Sequence, residues 1–442
     1  MKTPIYDFLS DYAARGGIRF HMPGHKGCGP LGIEHLDLTE VEGADVLSCA
    51  SGIIAESEKN ASALFNTGAT LYTTEGSSTA VKAMLAVAAK RYRTKEKNTV
   101  LAARCAHRSF LHAAALLDLS VRFLLPESAT HLYGGVPTAS EVEAALREGK
   151  DRIFAVFITS PNYLGELADV GAIAAVCRRY SLPLLVDNAH GAYLAFLSPS
   201  RHPIHLGATM CADSAHKTLP VLTGGAYLHL SVEEKEALAE AREALALFSS
   251  SSPSYLQLAS LDLCNHALEN GFSYTLDAII EAIDKAKRTL TSAGFTVRKG
   301  EPLKIVIADE NAKTLATLLR SAGIECEFSD RTHLVLMLSP HNTAAELDTL
   351  CAVLTPYGVH AIAPQTRAPL PLPADAVLSI REALFAPSER IPTTLAEGRI
   401  CADAALSCPP AVPIAVCGER ITSETVDALL YYGFDTVKVV KE

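Results

Sequence analysis

Residues 153–189 read IFAVFITSPNYLGELADVGAIAAVCRRYSLPLLVDNA and hold the architecture in miniature. Two apolar runs, 153–160 and 182–189, are too short for helices and are predicted to be buried strands. Between them, 170–180 carries apolar residues at helical spacing. A strand, a helix and a second strand of this length imply a crossover connection, and crossovers imply parallel strands. The same alternation extends upstream: helix 79–93, strand 99–103, helix 108–119, strand 121–126, helix 139–149. We therefore expect an α/β fold, a mostly parallel sheet of the seven-stranded type between helices. In such sheets sites lie beyond the carboxyl ends of the strands.

The pattern changes after GGAYLHL at 224–230. Three helices are predicted over 232–248, 254–270 and 273–293. Strands at 294–308 and 332–339 then surround the helix 311–323, with another helix at 343–356. This divides the chain into an N-terminal segment (1–60) with a helix near Pro4–Arg15, a large domain (61–294), a smaller α+β domain (295–360) and a Pro-rich appendage (361–442).

Totals exclude several functions. The net charge of −10 over 442 residues opposes nucleic-acid binding, which needs a basic field. No run of about 18 apolar residues marks a membrane span, and the first residues lack a signal-peptide core. Eleven scattered cysteines without a C-x-x-C pair point to a reducing cytoplasmic setting.

Chemistry concentrates at strand ends. Asp187 closes a strand; an acid there can cap a helix, bind a metal or hold a protonated ring nitrogen. Asp187 and His190 would supply two metal ligands, but no second cluster completes a site, so no metal is expected. Lys217 lies in ADSAHKTLP (212–220), among small apolar residues. A desolvated lysine has a lowered pKa and suits Schiff-base chemistry. With pyridoxal 5'-phosphate such a lysine needs a carboxylate for the ring nitrogen, a phosphate cradle and a group over the ring. Asp187 offers the first. Gly76, Ser77 and Ser78, opening a predicted helix in TTEGSSTAVKAML (73–85), offer the second, with Ser214 and His216 beside the lysine. His107, after a strand in RCAHRSF (104–110), offers the third.

Together these segments resemble the Orn/Lys/Arg decarboxylases, pyridoxal-phosphate enzymes of the aspartate-aminotransferase-like fold. The likeness also takes in RFHMPGHKG (19–27), DLTEVEGADVL (37–47), GIIAESEKNASALF (52–65), SSSPSYLQLASLD (250–262) and GERIT (418–422). It implies that Lys217 is the cofactor lysine, Asp187 the ring-nitrogen partner and His107 the stacking histidine. His190 lies near ring and lysine, and Ser77, Ser78, Ser214 and His216 lie on the phosphate side. It implies a homodimer with shared sites, in which Ser251 and Ser252 reach the neighbour's cofactor. It also implies decarboxylation of arginine, lysine or ornithine by a short, biosynthetic-type member without a receiver-like wing, in polyamine biosynthesis. The chain departs from the pattern at Asn188 (usually Glu), Tyr193 (usually His), Ala215 (usually Thr) and Glu75 (usually Asn). Other cofactor chemistry, such as transamination or lyase reactions, and a non-catalytic binding role stay open on these residues. Glu40, Glu42, Asp45 and Glu419 are loose candidates for an acid facing a basic substrate.

Overall fold

The structure is a computed structural model, and it describes residues 1–149, 151–364, 368–374, 376–404, 406–408 and 412–441. Part of the second proline cluster, 409–411, lies outside the described residues. Seven strands form the main sheet: β1 (Ala69–Thr73), β2 (Thr99–Ala103), β3 (Ser120–Leu124), β4 (Ile153–Thr159), β5 (Leu184–Asp187), β6 (Met210–Asp213) and β7 (Ala226–Leu230). Their order is β1-β7-β6-β5-β4-β2-β3. β7 runs antiparallel to both its neighbours, and the other pairs are parallel.

Both faces are covered. Helices α1 (Pro4–Ala14) and α2 (Ile53–Leu64) precede the sheet, and α3 (Ser77–Tyr92), α4 (Arg108–Leu117), α5 (Ala139–Gly149) and α6 (Val170–Arg179) connect its strands. α3 is hydrophobic on most sides because it is wedged between the sheet, α4 and α8 (Leu238–Phe248), after the one-turn helix α7 (Ala215–Thr218) in chain order. Its Ala80, Ala83 and Ala88 are buried, and such small side chains let the helix lie close to its neighbours. On the opposite face α5 and α6 seal Leu101, Val156, Val186 and Cys211. The run 232–248 is not one helix: a 3-10 stretch at Val232–Ala237 gives way to α8 at Leu238.

Helices α9 (Tyr255–Glu269) and α10 (Phe272–Ala293) lead to a second sheet. Its strands are β8 (Thr296–Val297), β9 (Lys304–Ala308), β10 (Phe328–Ser329) and β11 (His333–Met337), all antiparallel in the order β10-β11-β9-β8. α10, α11 (Ala312–Ser321) and α12 (Ala344–Leu354) pack on it. One hydrophobic core runs from Ile5 and Leu9 through Leu276 and Ile283 to Ile305 and Leu350. In the tail, Ser388–Pro392 pairs with Thr436–Val440.

Candidate active site

Five chain segments meet at the carboxyl rim of the main sheet. They line a cavity of about 250 Å³ whose walls include Gly76, Ser77, Ser78, His107, Asp187, His190, Ser214, His216 and Lys217. Thus nine of the eleven residues expected from the sequence to hold or act on the cofactor share one cleft.

Each wall follows from local chain chemistry. Gly76 ends the turn after β1 with φ +75°, a left-handed region that favours glycine. The turn places the first residues of α3 at the cavity. A helix start leaves N–H groups without intrahelical partners, so it attracts anions. Ser214, at the start of α7, donates its hydroxyl to Ser77 Oγ at 2.7 Å, which joins two segments into one polar corner. Thr159, at the end of β4, also lines the cavity, and its buried hydroxyl has no hydrogen-bond partner among the described residues.

His107 caps α4: its Nδ1 accepts the Ser109 N–H at 3.1 Å. That leaves Nε2 with the proton in the neutral ring. Burial, reinforced by Lys217 and Arg108, pushes the ring down to about 4. His216 is held by Nδ1 against the Gly225 carbonyl at 3.0 Å. Burial also keeps it below its ordinary value, against the pull of that bond.

Lys217 Nζ lies 3.2 Å from His190 Nε2. Burial lowers the pKa of the amine, although Asp187 and Glu327 draw it back upward. His190 is pushed well below its usual range by burial, then by Lys217 and Lys304. The lysine therefore donates and the imidazole accepts. Asp187 is 3% exposed. Its Oδ1 accepts the Ala189 N–H at 3.2 Å. Burial pushes its carboxyl up to about 6 despite Lys217.

Ser251 and Ser252 are exposed on the loop after α8. Ser251 lines a different cavity, with Glu40, Tyr72 and Arg242. Glu75 points away from the α3 turn and accepts the Ser250 N–H at 2.5 Å. Its charge is thereby turned from the anion-attracting helix start.

The departures at 188 and 193 have local partners. Asn188 donates to Asp213 Oδ1 at 2.8 Å. Asp213 is buried; burial opposes its charge, but His202 and His229 outweigh that and hold it below the usual carboxylate range. A glutamate at 188 would face this acid, so the amide is the complement Asp213 requires. We expect Asn188→Glu to cost roughly 3 kcal/mol by setting two buried acids together. The N188E/D213N double variant should melt above N188E alone in thermal denaturation. Equal melting would show that the contact is unimportant. Tyr193 hydrogen-bonds to the buried Glu301, which pairs with Lys304 at 3.8 Å.

Several features escaped the sequence reading. Tyr163 lines the cavity and stands edge-on to His190, ring centres 5.6 Å apart. Its hydroxyl donates to Glu327 at 3.3 Å. Val412 and Cys105 complete the wall. Arg104 secures the tail near Val412 by donating to the carbonyls of Pro413 and Ile414 at 2.9 and 3.1 Å. Glu419, 3.8 Å from that guanidinium, is part of the same clasp. Asp45 is spent on the N–H groups of Val46, Ser51, Gly52 and Ile54.

A lysine and an acid at the rim of a mostly parallel seven-stranded sheet, beside a helix start, define a pyridoxal-phosphate enzyme of the aspartate-aminotransferase-like fold. The residues fit that group: a cradle of hydroxyls at a helix start, a buried acid and a desolvated amine share one cavity. The model of the Orn/Lys/Arg decarboxylase major domain matches residues 3–310, and the chain belongs to this family of pyridoxal-phosphate-dependent amino-acid decarboxylases. It is 30% identical to the uncharacterized protein YaaO of Bacillus subtilis over 97% of this chain and 94% of the relative. It is 26% identical to an arginine decarboxylase of Bacillus anthracis over 96% and 92%. The lysine decarboxylase of Francisella novicida has the same fold, with TM-score 0.82 and 20% identity over 99% of this chain and 81% of that one. Among the described residues no helix is long and apolar enough to cross a membrane.

Proposed function

We propose that the chain decarboxylates a basic amino acid, arginine first and lysine second, to the corresponding amine. The observation that carries this reading is Glu327, a carboxylate that accepts from the hydroxyl of Tyr163, itself a residue of the cavity wall, and whose charge draws the pKa of the Lys217 amine upward. In this reading it is the acid that meets a cationic substrate side chain. Relatives named arginine decarboxylase, matching along nearly the whole chain, support arginine over lysine.

Lys217 is the amine that takes the cofactor's aldehyde, and Ser77, Ser78, Ser214 and the start of α3 hold its phosphate. When bound, pyridoxal phosphate supplies that aldehyde and a protonated ring that accepts the electron pair left when carbon dioxide departs. Asp187 supplies the carboxylate that keeps a ring nitrogen protonated. Neutral His107 and His190 pack the site without adding positive charge, and His190 Nε2 orients the Lys217 amine. Lys217 Nζ or His216 returns a proton to the substrate carbon.

The second subunit of a homodimer completes this reading. Ile18, Phe20 and Leu31 are 84%, 94% and 77% exposed, an apolar surface that a second copy would cover. The loop with Ser251 and Ser252 is free to serve its cofactor. Ten of the eleven cysteines are free, which supports a cytoplasmic, reducing setting. The product is of the amine class from which polyamines are built.

A screen of arginine, lysine and ornithine for carbon dioxide and amine tests the reaction; a keto acid in place of carbon dioxide would overturn it. Glu327→Gln should raise KM for the preferred substrate roughly tenfold, the loss of one charge-assisted hydrogen bond, with a smaller change in kcat. An unchanged KM would remove Glu327 from substrate recognition.

A further inference from the structure

Lys304 is 2% exposed, an unusual place for a lysine. It opens β9 in the small sheet, yet its side chain reaches under the wall of the cofactor cleft. Its Nζ donates to the carbonyls of Asn162 at 3.4 Å and Tyr163 at 3.3 Å. It also lies 5.8 Å from the centre of the Tyr163 ring. These contacts tie the loop after β4 to the small sheet. The same loop is bonded a second time, because the Glu301 N–H donates to the Gly165 carbonyl at 2.7 Å.

From here the contacts lead directly to the amine. Tyr163 stands against His190, and His190 touches Lys217. Both ends of this chain carry an ammonium group, with an aromatic ring and a neutral imidazole between them. We propose that Lys304 is a positioning residue for the decarboxylation: a buried cation that fixes Tyr163 against His190 and sets the proton affinity of the Lys217 amine and of the group it forms with the cofactor. This rests on Lys217 being the cofactor lysine.

The charges around Lys304 define the sign. Glu301 pairs with it and in turn accepts from Tyr193 and from the Leu303 N–H at 2.7 Å. Glu327 also favours the Lys304 cation, and Lys217 is the like charge that opposes it. Burial pushes Lys304 down to about 8, with Glu301 opposing and Lys217 adding to the shift. Below that pH the cation is present and disfavours a second positive charge at Lys217 or His190. Removing it must therefore raise the proton affinity at Lys217.

A lone Lys304→Met change would leave Glu301 buried and unpaired, with a risk of misfolding. The E301Q/K304M double variant removes both charges and keeps a hydrogen-bonding side chain beside Tyr193; of the two charges it is Lys304, bonded to the loop of Tyr163, that bears on His190, so loss of the cation dominates at the Lys217 end. Lys304→Arg keeps the charge. The experiment follows the absorbance of the lysine-linked cofactor against pH in the wild type and these two variants. We expect the proton affinity of that linkage to rise roughly threefold to thirtyfold in E301Q/K304M, an electrostatic coupling through a partly polar interior. K304R should stay within a factor of two of the wild type, so that charge rather than shape accounts for the effect. An unchanged midpoint in E301Q/K304M, or an equal shift in K304R, overturns the proposal. Absence of any lysine-linked absorbance in the wild type would instead overturn the reading of Lys217.

Discussion

Lys217→Ala should leave no cofactor covalently attached after borohydride reduction, and its decarboxylation rate should fall at least about 1,000-fold, as expected when an activated amine nucleophile is removed. The wild type should yield a reduced adduct on the peptide that carries residue 217. This outcome is not trivial, because the site holds two desolvated lysines. Lys304 is the more deeply buried, and burial pushes its pKa down to about 8. But its ammonium is already engaged by two carbonyls and Glu301. Lys217 instead lines the cavity, with His190 as its hydrogen-bond partner. An aldehyde entering between the serine cradle and Asp187 meets Lys217. Mass mapping of a reduced adduct onto Lys304, or onto any lysine of the K217A protein, would refute the assignment.

Much of this site is legible in the sequence because each part follows a strand. An apolar run that stops at Asp187, the small apolar stretch that carries Ser214 and Lys217, and a Gly-Ser turn opening a helix all fall on one rim of the sheet. The rule needs only element order, not distances, so Lys217 and Asp187 could be paired across 30 positions of chain. Glu327 and Lys304 carry no such signal. Lys304 sits in EPLKIVIA, where a lysine beside a glutamate looks solvated, and its burial depends on how the small sheet docks against the loop at Asn162. The bond between Glu327 and Tyr163 arises for the same long-range reason. Two of the loose candidates, the acids at 45 and 419, have partners within the protein, one in backbone N–H groups and the other in Arg104 and the Val416 N–H. A charged residue's local context does not reveal whether a partner arrives from a hundred residues away. Asn188 and Tyr193 likewise become intelligible only beside Asp213 and Glu301, their partners in space.

Replacing Asp187 with asparagine should make the cofactor-free protein more stable and the enzyme nearly inactive. The carboxylate is buried in the cleft and, without a cation on the ring side, is raised from 3.8 to about 6. A raised acid binds its proton more tightly folded than unfolded. Its ionisation therefore costs stability as pH climbs from about 4, and the full cost is present above about 6. At neutral pH that amounts to up to roughly 3 kcal/mol, offset in part by what Lys217 loses when its counter-charge goes. Asparagine keeps an oxygen for the Ala189 N–H and carries no charge. The melting temperature of cofactor-free D187N should thus exceed that of the wild type at pH 7.5, and the gap should close near pH 4. Turnover in the loaded enzyme should fall roughly 100- to 1,000-fold, the loss typical of one electrostatic stabiliser in a dry site. The acid is unfavourable until a protonated ring nitrogen arrives, so the energy stored against it becomes affinity for the charged form of the cofactor. A pH-independent melting difference would show that the acid bears no such strain, and near-normal turnover would show that the ring nitrogen does not depend on it.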